Sequence, residues 1–99
     1  MTEPLNWDVG DPPDDLPASE DQLHALAGTI AEAFPACAIR AGVLTFGEER
    51  RLCWHIASAS GRYVNLQQPF SVFASAESFE QALAETRAAC ADLREAGLV

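Results

Sequence analysis

Two helix-start signals stand more than fifty residues apart in this chain, and the stretch from Ala36 to Ala74, between the runs they open, has no helical period. Ser19 is followed three residues later by Gln22, a capping-box spacing, and Glu20 and Asp21 put negative charge where a helix N-terminus favours it. Leu23, Leu26, Ile30 and Phe34 then recur at helical spacing until Pro35, which predicts a helix over about 20–34. Ser75 opens the second run, Glu77 and Glu80 fall in its first turn and Gly97 follows its end, which predicts a helix over about 76–96. At helical spacing Phe79, Ala82, Leu83, Cys90 and Leu93 share one side of it. Glu77, Glu80, Glu85, Asp92 and Glu95 cluster on the other, an acidic ridge.

Between the helices the pattern is that of strands. Cys37, Ile39 and Ala41 keep one phase and Leu44 and Phe46 the other, a change at Gly42 that suggests a bulge. Gly47-Glu48-Glu49-Arg50 reads as a turn, and Leu52, Trp54 and Ile56 alternate with Arg51, Cys53 and His55 as a half-buried strand requires. After a turn at Ser60-Gly61, Tyr63 to Leu66 forms a third strand. Gln67, Gln68 and Pro69 interrupt it, and Phe70, Val72 and Ala74 either continue it as a kinked edge or make a fourth strand. The expected fold is α+β, in the order αβββα: an antiparallel meander of three or four strands with two helices on one face. Eighteen of the 99 residues are alanine, so the core rests on a short list of larger side chains. That length suits one domain, expected over residues 19–99.

Residues 1–18 have too many prolines for a helix and read as an extended acidic arm, tethered by Leu5, Trp7, Val9 and Leu16. Trp7 is either the anchor of this arm or an exposed contact for a partner, and the anchor is favoured. Glu3, Asp8, Asp11, Asp14, Asp15, Glu20 and Asp21 make residues 1–22 the most acidic part of a chain of net charge −9. Four carboxylates between Asp8 and Asp15 lie on a stretch that extends at most about 25 Å. They would imitate a phosphate backbone at roughly half the charge density of one DNA strand. Such a balance opposes non-specific binding to nucleic acids and to anionic lipid, and favours a basic protein surface as partner.

The sequence carries no strong catalytic or metal signature. Cys53 and His55 share one face of a strand, but zinc needs about four ligands at recognisable spacing, and no second Cys/His pair is present. GxGxxG, P-loop and GxSxG patterns are absent. Cys37, Cys53 and Cys90 are widely spaced within apolar stretches and read as free thiols. Arg40, Arg50, Arg51 and Arg62 lie on or beside the strands, where they discourage edge pairing or balance the arm. No apolar leader or membrane-length run occurs, which predicts a soluble cytoplasmic protein without cofactor or metal. Alanine abundance and the absence of lysine suggest a GC-rich bacterial or phage origin.

The element order resembles that of the double-stranded RNA-binding domain, but that family places lysines at the start of its second helix. Here Ser75-Ala76-Glu77-Ser78 is acidic, and RNA binding is not carried over. In size, acidity from Asp8 to Asp21 and αβββα outline, the chain resembles the small phage inhibitors called anti-CRISPR proteins. The resemblance implies a non-enzymatic protein that docks on the DNA-recognition surface of a CRISPR surveillance complex and blocks DNA by charge and sterics. The expected contact residues are Asp8, Asp11, Asp14, Asp15, Glu20, Asp21, Glu77, Glu85 and Asp92, on a monomer or weak homodimer. A dimerisation module using a free sheet edge or helix face, and a small enzyme, are the other classes weighed.

Overall fold

The computed structural model describes Trp7 and residues 15–99. Helix α1 (Glu20–Ala33) begins where Ser19 and Gln22 cap each other, the Gln22 backbone N–H donating to Ser19 Oγ at 3.2 Å and the Ser19 N–H to Gln22 Oε1 at 2.9 Å. Helix α2 (Ala76–Ala96) starts with the same reciprocal device built from Ser75 and Ser78. It ends at Gly97, whose φ of 68° lies in the left-handed region that glycine adopts without strain. Strands β1 (Ala38–Phe46), β2 (Glu49–Ala57) and β3 (Tyr63–Pro69) form one antiparallel sheet in the order β1-β2-β3. The fold is α+β in the order αβββα, as expected.

Three expectations fail in detail, for physical reasons. The β1–β2 register runs without interruption from Ala38↔Ala57 to Phe46↔Glu49, so Gly42 marks no bulge. The apolar phase changes there because Ile39, Ala41 and Val43 face the helices, whereas Leu44 and Phe46 lie on the opposite face and stay exposed. Gln67 and Gln68 do not interrupt β3, which continues to Pro69. Phe70–Phe73 then coils into a short 3-10 helix, neither a kinked edge nor a fourth strand. Coiling there lets Phe73 enter the core, 6.1 Å from the Phe79 ring.

The core lies between the sheet and the helices. Leu52, Trp54 and Ile56 of β2 meet Leu23, Leu26 and Ile30 of α1 and Phe79 and Cys90 of α2 in one buried cluster. Trp7 packs against its margin and forms an isolated parallel bridge with Ala41 on the outer side of β1, so it is an anchor. At the centre the Trp54 indole N–H donates to Gln68 Oε1 at 3.1 Å. Gln68 Nε2 donates to Thr86 Oγ1 at 2.7 Å, and Thr86 donates to the Ala82 carbonyl at 2.7 Å. A relay of side chains thus joins β2, β3 and α2 inside the core.

Replacing Gln68 by leucine would strand the buried indole donor, at a cost of about 1–3 kcal/mol. Thr86→Val would strand the buried Gln68 Nε2 donor, whose acceptor is Thr86 Oγ1, and should cost a similar amount. Urea unfolding of the two variants would show comparable losses.

Candidate partner-binding surface

The meander fixes where each charge falls. Helix α1 descends, β1 returns, β2 descends, β3 returns and α2 descends, so both helices begin at the β1–β2 hairpin end. Two contacts mark the ends. Near the hairpin, Arg50 Nη1 pairs with Asp15 Oδ2 at 2.7 Å and its guanidinium lies 5.8 Å from the Phe70 ring centre. At the other end Arg62 Nη1 donates to the Gly97 carbonyl at 3.4 Å.

Six carboxylates gather at the hairpin end: Asp15, Glu20 and Asp21 before and in the first turn of α1, Glu48 and Glu49 in the hairpin, and Glu77 in the first turn of α2. All six residues are exposed, and among the described residues only Arg50 and Arg51 oppose them there. Arg51 is engaged locally, its Nε donating to Glu49 Oε1 at 3.2 Å. The partly positive N-termini of two helices favour carboxylates at this end. The result is a negative pole.

The residues expected from sequence to contact a partner therefore do not all lie together. Asp15, Glu20, Asp21 and Glu77 share the pole. Glu85 lies midway along α2, and Asp92 falls near the opposite end, roughly 22 Å from Glu77 along the helix axis. Asp8, Asp11 and Asp14 lie outside the described residues. Glu48 and Glu49 were missed, although a turn flanked by two strands is where exposed charge collects.

No described helix covers the other face of the sheet. Arg40, Leu44 and Phe46 of β1, Arg51, Cys53 and His55 of β2, and Tyr63, Asn65 and Gln67 of β3 share it by register. His55 Nδ1 is 2.9 Å from Asn65 Oδ1, and its ring lies 5.0 Å from that of Tyr63. Phe46 and Tyr63 are 52% and 61% exposed, and Glu49 joins Arg40 and Arg51 on this face, so it is apolar in part and carries charge of both signs. Two clefts flank α2. One of about 170 Å³ lies between α2 and β3, beside Leu66, Gln68 and Glu85; the other, of about 220 Å³, lies between α1 and α2, beside Glu32, Arg87 and Arg94.

Among the described residues no group of three or more His, Cys, Asp or Glu side chains could hold a metal ion. No described helix is long and apolar enough to cross a membrane. Comparison with protein-family models, with characterised proteins and with solved structures returns no match.

The Asp15–Arg50 pair is well exposed on both sides, and such pairs contribute about 0–1 kcal/mol. Asp15→Asn should therefore shift the urea midpoint only slightly. Burial pushes the Cys90 thiol up from its ordinary value. Because the unfolded thiol ionises first, this group's contribution to stability is complete below about pH 8.5 and is lost as pH rises through the folded value. A thiol reagent at pH 8 should modify Cys90 only as fast as the protein unfolds.

Proposed function

We propose that the protein is a non-catalytic acidic docking protein whose negative pole seats on a basic surface that otherwise holds nucleic acid. The observation that carries this reading is the convergence of two helix N-termini and a hairpin, which assembles Asp15, Glu20, Asp21, Glu48, Glu49 and Glu77 at one end of the molecule. A concentrated field of one sign steers a partner of the opposite sign, and arginine or lysine clusters that bind phosphates offer that sign. The contact excludes nucleic acid by occupying those cations and by bulk. An inhibitor of the anti-CRISPR type, set against the DNA-recognition surface of a CRISPR surveillance complex, is the specific form of this reading. The reading moves the contact away from the α2 ridge, so Glu85 and Asp92 become bystanders.

The test is displacement of labelled target DNA from a purified surveillance complex. The wild-type chain should displace it at low salt and lose roughly tenfold or more in potency at several hundred millimolar salt. E20Q/D21N/E77Q should weaken displacement by a similar factor, while E85Q/D92N should stay within about twofold. Displacement that ignores both salt and the triple substitution would overturn the charge mechanism. A wild-type chain that displaces nothing would overturn the surveillance complex as the partner.

A further inference from the structure

The two edges of the sheet differ. Trp7 bridges to Ala41 on the outer side of β1, whereas nothing among the described residues pairs with the outer side of β3. The groups that β3 presents outward follow from one hydrogen bond. Ser58 N–H donates to the Arg62 carbonyl at 2.8 Å, so position 58 opposite 62 is a pair whose backbone groups point at each other. Antiparallel alternation extends this to 56 with 64, 54 with 66 and 52 with 68. The N–H groups of Tyr63, Asn65 and Gln67 therefore point away from β2. Pro69 shares their phase and has no N–H, the position a proline takes on an edge.

Natural sheet edges are guarded by charge, by proline, by bulges or by short length, and on this edge Pro69 guards the last position alone. Strand β3 runs seven residues in unbroken register, and it is the one strand of the sheet without an Asp, Glu or Arg.

We propose that this edge pairs with the same edge of a second copy, joining two sheets into one of six strands. A two-fold axis at Asn65 sets Tyr63, Asn65 and Gln67 opposite Gln67, Asn65 and Tyr63 of the second copy, so each outward N–H meets a carbonyl. On the helical side the same register sets Val64 against Leu66, both half-buried in one copy, next to the cleft between β3 and α2. Self-pairing about a two-fold sets a strand's own charges near their like, and a strand without charges has none to repel. The antiparallel arrangement also directs the two negative poles to opposite ends of the joined sheet. The pairing does not depend on the docking function proposed above, and the two respond to salt in opposite directions.

Sedimentation equilibrium of the full chain should show a dimer that strengthens as salt screens the net charge. Gln67→Pro removes a donor that faces outward and leaves the β2–β3 ladder intact; it should weaken self-association roughly tenfold or more while keeping the native circular dichroism. Asn65→Lys sets two like charges at the axis and should do the same. Hydrogen exchange on the wild type gives a readout that no variant can confuse by misfolding: the Tyr63, Asn65 and Gln67 amides should gain protection as protein concentration rises. A wild-type chain that stays monomeric at high concentration and high salt would overturn the proposal. So would a dimer that both folded variants retain, or one in which those three amides exchange at the same rate at every concentration.

Discussion

The indole N–H of Trp54 is the constraint around which the core is arranged. Its residue is 1% exposed, and a buried donor without an acceptor costs enough to matter in a domain of this size. Gln68 supplies the acceptor from β3, and Thr86 completes the relay from α2. This fixes more than one bond. A slip of β3 by one residue would turn Gln68 to the open face and bring Gln67 or Pro69 inward, and a rotation of α2 would remove Thr86 from the seam. The register of the edge strand and the facing of the last helix are therefore tied to one ring nitrogen.

The order αβββα has an electrostatic consequence as well. With three antiparallel strands between them, the two helices start at the same end of the sheet, so both partly positive N-termini lie at that end. Glu20, Asp21 and Glu77 sit where those termini favour negative charge, and each such placement is worth about 0.3–1 kcal/mol on an exposed surface. The acidity of the pole therefore has a structural use in addition to any partner it steers. Asp15 is different: it meets Arg50, whose partly covered side chain sits against Phe70. That contact places Asp15 beside the mouth of the hairpin.

What could be read from the sequence was whatever depends on neighbours. The caps at Ser19 and Ser75, the stop at Gly97 and the alternation of Leu52, Trp54 and Ile56 are local signals, and the elements stand where those signals put them. The misreadings arose where a residue answers to something distant. Leu44 and Phe46 suggest a bulge at Gly42 because apolar side chains normally mark the buried face, a rule that lapses on a face that no described helix covers. Gln68 looked like an interruption because its partners lie 14 and 18 residues away. The pole was half visible: the charge of Glu20, Asp21 and Glu77 was plain, but only the direction of the strands shows that α1 and α2 start together and that Asp92 belongs elsewhere.

An open edge on a small sheet invites runaway association, and three features of this molecule would limit the proposed pairing to two copies. Growth into a fibre needs a second open edge, and Trp7 occupies the outer side of β1 at Ala41. Pairing β3 with β3 in the parallel sense would bring the two negative poles side by side, a repulsion that the antiparallel two-fold avoids. The net charge of −9 raises the cost of every less specific encounter. A charge-free strand is thus tolerable in this chain because charge lies nearly everywhere else.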